Sequence, residues 1–527
     1  MDTIELIARN GDAVRHAIEL GDIVHMDTAS EEITDEFLLF AITSGLLNGW
    51  AQGFPDPRQE AEIGMEVILA ASVAARFAGF YAFRKLGYVL QSARVLGALG
   101  YSVAVTEAGT GMSRRGTGDA QVVSGDVLRK LLVQMESRVK VSQAALETED
   151  VVDTRVGRIR QRGSRRSAKG KVDARDAQVR GRRVAEQLLT WYTECVGKSL
   201  LAYAKLGDGR RLHIVDCTKG EVPLDSGHYE CSGVVKNEDG SLARGYKLAT
   251  LRTLLDTAGV LTQAAVAPIQ EHDIEVCRPL LTSSPVLRAG DLLLEDNGFM
   301  DGALISRLKH EHKVDVIVPL RSNMVAFDEA VRLAQMADTW QPHPSRATQQ
   351  IAFVPGVQHV WQSCTARLNA CVIRYWHAKK NRHGYIVLVT TDQALTAKWI
   401  VRHYEERPEV EQDYEQMKSG GWKLQQLSTT RYSEVVFYLV SVLLSYSLYH
   451  LFTNTQAGTR FANTTRQAMT LEQLCTHRTH VIVYAGGYFE IFETLTFVHL
   501  VLGLQQPVQE RLHLWLDEHL KHIEKRE

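Results

Sequence analysis

Between residues 212 and 321 the chain alternates short apolar runs with polar breaks, and two of those runs end on an aspartate. Leu212-His-Ile-Val-Asp216-Cys-Thr218 is followed by the turn material Lys219-Gly220. Asp291-Leu-Leu-Leu-Glu-Asp296-Asn-Gly-Phe299 repeats the design and leads into a helical stretch from Met300 to Lys309. Apolar runs of this length bounded by turn residues read as buried strands. The expectation is therefore two strands that carry Asp216 and Asp296 at their tips. Gly245 to Arg252 and Val260 to Ala267 lie between them as an expected antiparallel pair, His272-Asp273 opens a helix, and Val314 to Arg321 gives a fifth strand. The order is three strands, helix, strand, helix, strand, which is an α/β arrangement.

Further on, Tyr404-Glu-Glu-Arg407-Pro-Glu-Val-Glu411-Gln-Asp-Tyr-Glu-Gln-Met-Lys418 has the spacing Y-x2-R-x3-E-x6-K. Steps of three, four and seven residues bring four side chains to within about a sixth of a turn on an α-helix. That row holds a carboxylate able to bind a divalent metal, beside two cations and a phenol able to hold phosphate oxygens. Spacing by itself equally fits a solvated face with ion pairs three and four residues apart. Pro408 sets the start of the helix proper and leaves Tyr404 and Arg407 in a lead-in turn.

The stretch resembles the YREK signature of bacterial insertion-sequence DDE transposases, the branch often called insertion sequence family four, with all four positions matched. The two aspartate runs look like that branch's first and second aspartate motifs, the second of the form D-x-G-F. The resemblance implies an RNase H-like catalytic core, a mixed five-stranded sheet with helices, interrupted by a β-rich insertion and preceded by a helical N-terminal domain. It makes Asp216, Asp296 and Glu411 the catalytic carboxylates, and assigns Tyr404, Arg407 and Lys418 to phosphates of the transposon end. Three carboxylates suit such a task because hard Mg2+ ions, or Mn2+ in their place, take oxygen ligands and clamp both the attacking and leaving oxygens of an in-line displacement. Glu295 and Asp301 flank the second aspartate, and the strand-end position with the following Asn-Gly-Phe favours Asp296. Further implications are cut-and-paste transposition with strand transfer by a 3'-hydroxyl, and double-stranded DNA, both inverted-repeat ends and target, as the partner. A homodimer on DNA and a cytoplasmic, nucleoid-associated location follow from the same likeness.

Organisation along the chain is expected as follows. Residues 1–140 form a helical DNA-end-recognition region, with apolar helical spacing in Glu36 to Leu47, Met65 to Phe77 and Tyr81 to Leu99. Residues 141–206 are a basic linker and helix. Arg158, Arg165 and Arg166 lie in its Gly- and Ser-rich basic stretch, which reads as an arm that neutralises DNA phosphates. Residues 207–321 and 394–470 are the two parts of the core. The insertion at 322–393 has expected strands at Gln349 to Val354, His359 to Cys364, Leu368 to His377 and Tyr385 to Thr391. Trp361 and Trp376 there are candidates for stacking an unpaired base, against core packing as the plainer role. Residues 471–527 are a place for dimer contacts.

A net charge of −2 over 527 residues gives no global attraction to DNA, so binding has to rest on local basic fields. Seven scattered cysteines with no C-x2-C pair suit a reducing compartment. The N-terminus has no basic region followed by an apolar block, so no export signal is expected. Val435 to Phe452 touches the length of a membrane span, yet it contains Ser441, Ser445, Ser447 and His450 and is expected to be a buried core helix. Two other readings stay open: a nuclease with the same core and no strand transfer, and a DNA-binding relic, which would be expected to have lost a carboxylate. None of the three is lost here.

Overall fold

The computed structural model describes residues 8–510 apart from 31–32, 60, 62, 84–85, 87–92, 101–124, 142–167, 205–208, 226–227, 238, 255–258, 358–359, 420, 456–478, 494–496 and 498–499. The chain opens with strand β1 (Ala8–Arg9), helix α1 (Gly11–Leu20) and strand β2 (His25–Ser30). Helices α2 (Ile33–Thr43), α3 (Leu46–Gly53), α4 (Met65–Phe77), α5 (Ala93–Ala98) and α6 (Gly125–Arg138) follow. Apolar residues all round make α4 a buried helix, with only Glu66 outside the core. Of the helix expected over 81–99, the described residues show α5; α4 ends at Phe77, and Gly79, with a left-handed φ of 74°, turns the chain beyond it. The long helix α7 (Ala168–Trp191) continues through a wide π turn, Tyr192–Gly197, into Lys198–Tyr203.

Residues 212–390 form one mixed sheet. Its strands are β3 (Leu212–Val222), β4 (Gly233–Lys236), β5 (Leu242–Leu254), β6 (Gly259–Pro268), β7 (Leu292–Leu294), β8 (Asp315–Pro319), β9 (Gln341–Pro342), β10 (Gln350–Val354), β11 (Asn369–His377) and β12 (Arg382–Thr390). The order across the sheet is β4-β5-β3-β7-β8-β12-β11-β10-β9, and β6 shares the β4 edge of β5. β3, β5 and β6 are antiparallel neighbours, whereas β7 and β8 run parallel to β3. Helix α8 (Asp273–Thr282) joins β6 to β7, and α9 (Gly302–Arg307) joins β7 to β8. Apart from the short extra strand β4, this is the expected order of three strands, helix, strand, helix, strand, and it fits an RNase H-like core.

Four departures have physical reasons. Asp216 sits in mid-strand, not at a tip, because Lys219 and Gly220 keep pairing with Lys247 and Tyr246 instead of turning. The sheet has ten strands, not five, because β4 adds to the β5 edge and because β12 pairs antiparallel with β8 at Leu388↔Pro319 and lays the four strands of the β-rich segment against the core. That segment also opens with helix α10 (Val325–Ala337), ahead of the expected strands and where no element was expected, and its Ala326, Ala330 and Ala334 are buried at four-residue spacing. The expected strand over His359 to Cys364 is instead, in its described part, a turn in which Cys364 N donates to Trp361 O at 2.9 Å.

The last long helices are α11 (Ala397–Tyr404), α12 (Pro408–Ser419) and α13 (Tyr432–Thr453). α13 is long and apolar enough to cross a membrane, yet 89% of its most apolar window is buried inside the protein. Its serines explain how: Ser447 Oγ accepts from Leu261 N on β6 at 2.9 Å, and Ser445 Oγ donates to Val73 O on α4 at 2.9 Å. Gly197 lets the π turn lie directly on β6, where a Cβ would stand 1.9 Å from Thr262 O. Helices α2 to α7 therefore share one apolar core with the sheet. The first strands do not. β1 and β2 flank β14 (Tyr488–Glu493) and β13 (Thr479–Ala485) in a separate four-stranded sheet, over which Val14 and Ile18 pack with Val481, Val483 and Phe492. The N-terminal region thus opens with two strands around α1 before its helical run, and those strands find their hydrogen-bond partners at the far end of the chain.

Candidate active site

Sheet register brings the first two carboxylates together. Ile214 on β3 is the parallel partner of Leu294 on β7, and Asp216 and Asp296 each lie two residues further along. Asp296 falls just beyond the end of β7, where its carboxylate caps the turn by accepting from Asn297 N at 2.6 Å. Asp216 accepts from Cys217 N at 2.8 Å. Glu411 arrives on α12, which begins at Pro408 as the sequence implies. Tyr404 ends α11, and Arg407 stands in the turn between the two helices.

One guanidinium links the three acids. Arg407 lies 3.4 Å from Asp216 Oδ2, 3.3 Å from Asp296 Oδ2 and 2.5 Å from Glu411 Oε1. The Asp216 and Arg407 side chains are only 14% and 13% exposed, whereas Glu411 is open at 55%. Burial pushes Asp216 up to about 6, against the pull of Arg407 and Cys217 N, with Asp296 and Glu411 adding to the rise. Burial opposes the charge on Arg407, but Asp216 and Asp296, with Tyr404 and Glu411, outweigh it and raise its pKa. Burial likewise raises the Tyr404 phenol and lowers Lys418, whose charge is favoured by Glu221 and Asp216 and opposed by Lys219.

The neighbouring acids have other occupations. Asp301 caps α9, accepting from Ala303 N at 2.9 Å and Leu304 N at 3.1 Å, and pairs with Arg278 at 3.0 Å. Glu295 is fully buried with neither oxygen partnered, and burial pushes it up to about 8.

What holds α12 in place is a set of residues that the signature does not mark. Tyr414 OH bridges from Asp216 O at 2.8 Å to Thr250 Oγ1 at 2.6 Å, tying the helix to β3 and β5 beside the first aspartate. Arg252 on β5 pairs with Glu409 and Asp413 at 2.6 Å each, and Tyr446 on α13 donates to Asp413 at 2.9 Å. The buried spacing Val410, Tyr414, Met417 was the available signal for this inner face.

Among the described residues no group of three His, Cys, Asp or Glu side chains is gathered tightly enough to hold a metal ion, since the guanidinium stands among the carboxylates. The donor set nevertheless suits a hard divalent cation: three carboxylates converge on one positive charge and supply only oxygen. Of the other expected DNA contacts, Arg158, Arg165 and Arg166 lie outside the described residues. Trp361 packs partly buried against the core. Trp376 is 54% exposed near the tip of the β11–β12 hairpin, its ring 5.2 Å from that of His383. Lys379, Lys380 and Arg382 are exposed at the same tip, with no acid between Trp376 and Gly384.

Residues 236–448 match the family model described as "Transposase DDE domain". The match covers less than half of the chain and supports a DDE transposase. It includes Asp296, Glu411 and the basic hairpin and begins after Asp216. No curated protein matches the chain.

Proposed function

We propose that the protein is a metal-dependent DNA transposase that moves its element by end cleavage and strand transfer, with double-stranded DNA as substrate and target. The observation that carries this reading is the meeting of Asp216, Asp296 and Glu411, from a strand, a strand end and a helix, around one cationic centre. Together with the family match it supports a phosphodiester chemistry of carboxylates and metal.

Asp216, Asp296 and Glu411 would hold Mg2+ or Mn2+. When bound, these ions supply an activated water or 3'-hydroxyl and neutralise the departing oxygen. The chain's own residues bind and orient. Lys418 and Arg407 offer positive charge to phosphate oxygens, Arg407 as a planar fork that suits two oxygens at once. The Tyr404 phenol offers a neutral donor. Tyr414 and Arg252 keep α12 in register with β3, so that Glu411 stays opposite Asp216. The exposed hairpin of Trp376, Lys379, Lys380 and Arg382 is a second DNA surface, with an aromatic for stacking and cations for the backbone. Arg158, Arg165 and Arg166 extend the basic field, and a homodimer pairs two ends.

The test incubates the full chain and Mg2+ with a labelled duplex carrying the gene's own flanking ends and a supercoiled target. Cleaved ends joined to the target support a transposase. Cleavage without joining points to a nuclease, and salt-sensitive binding without cleavage points to a DNA-binding relic.

A further inference from the structure

We infer that Arg407 is a resident counter-ion of the carboxylate cluster: in the metal-free chain its guanidinium holds the place of the divalent cation, and it gives way towards DNA phosphate when metal binds. The inference rests on the reading of Asp216, Asp296 and Glu411 as metal carboxylates.

Three observations carry it. Among the described residues Arg407 is the only cation that forms an ion pair with any of the three acids, and it does so with all of them. Packed together without a cation, the three would repel one another, and the two most enclosed would bear the cost of burying charge unpaired. Arg407 also sits in the turn between α11 and α12 rather than inside a helix, held locally by Arg407 N donating to Tyr404 O at 3.1 Å. Its Nε is buried without a partner, so the acids do not use all of its donors. The charge balance then sets the direction of exchange. With metal absent, three negative carboxylates surround one positive group. With divalent cations present, the same guanidinium faces net positive charge and is repelled, while a nearby phosphate would attract it. Metal binding and release of Arg407 are therefore competing occupations of one site.

The probe is Mn2+, titrated calorimetrically into the chelator-stripped full chain, with thermal melts in EDTA and in Mn2+. The variants are Arg407→Gln, Arg407→Lys and the control Asp296→Asn. Removing the competitor should tighten Mn2+ binding by about tenfold or more in Arg407→Gln. Arg407→Lys, which keeps a charge, should fall between. Arg407→Gln should also melt below wild type in EDTA and regain more in Mn2+ than wild type does. If it folds only with Mn2+, the inference is supported; if it folds in neither condition, Arg407→Lys decides by binding more tightly than wild type or not. Mn2+ binding that is lost in Asp296→Asn, yet equal or weaker in Arg407→Gln than in wild type, overturns the inference and leaves the metal site standing. Mn2+ binding that survives Asp296→Asn, or that is absent throughout, overturns both.

Discussion

At the scale of residues, Glu295 and Asp296 are neighbours with opposite surroundings. Glu295 is sealed in the core without a partner, and its carboxyl is pushed up to about 8 from an ordinary 4.5. The folded chain therefore holds a proton on Glu295 that the unfolded chain releases between these values. Stability should fall as pH rises from about 4.5 through about 8, and Glu295→Gln should abolish that fall, gaining a few kcal/mol at pH 8 in denaturant titrations. An unchanged pH profile in Glu295→Gln would contradict the burial. That three acids would meet was legible in outline, because apolar runs point to strand-borne carboxylates, although β3 runs on past Asp216, and the Y-x2-R-x3-E-x6-K spacing brings in Glu411. The place of Arg407 among the acids was not. Spacing fixes the direction in which a side chain leaves a helix, and this arginine leaves from a turn.

The element that decides the geometry is α12. Its outward side carries Glu411, and its inward side is fastened by Tyr414 to the backbone of Asp216 and to Thr250. Tyr414→Phe removes both hydrogen bonds and leaves the Thr250 hydroxyl and the Asp216 carbonyl short of a partner, at a cost of about 1–2 kcal/mol. DNA cleavage should fall with it, while Mn2+ affinity changes less than in Asp296→Asn. Calorimetry and a cleavage assay on the same preparation check both parts. Strands and helices were legible where a continuous apolar run is bounded by turn residues, as in β5 and β6, or where apolar residues surround a helix, as in α4. The reading failed where a segment is apolar without a decisive period. Val360 to Cys364 folds as a turn, and Val325–Ala337, where no element was expected, is a helix whose small alanines gave little signal.

Across the whole molecule, two facts depend on contacts far apart in sequence. β12 joins the core edge at β8 and extends the sheet from six strands to ten, and β2 pairs with β13 from His25↔Tyr484 to Ser30↔Thr479. Neither leaves a local trace, since a strand carries no label for its partner. The terminal sheet has its own apolar core, so deleting residues 479–510 should free the amides of 25–30 to exchange with solvent while β3, β5 and α13 stay protected. Loss of protection in β3 and α13 would mean that the two cores are coupled. The central claim is that Asp216, Asp296 and Glu411 form a single metal-holding unit, drawn together from β3, the end of β7 and α12. The most direct measurement is the rate of DNA end cleavage in Mg2+ for Asp216→Asn, Asp296→Asn and Glu411→Gln beside wild type. Because metal-borne charge stabilisation is worth several kcal/mol, each variant should lose about a thousandfold or more. Any one of them cleaving within about tenfold of wild type would contradict the claim.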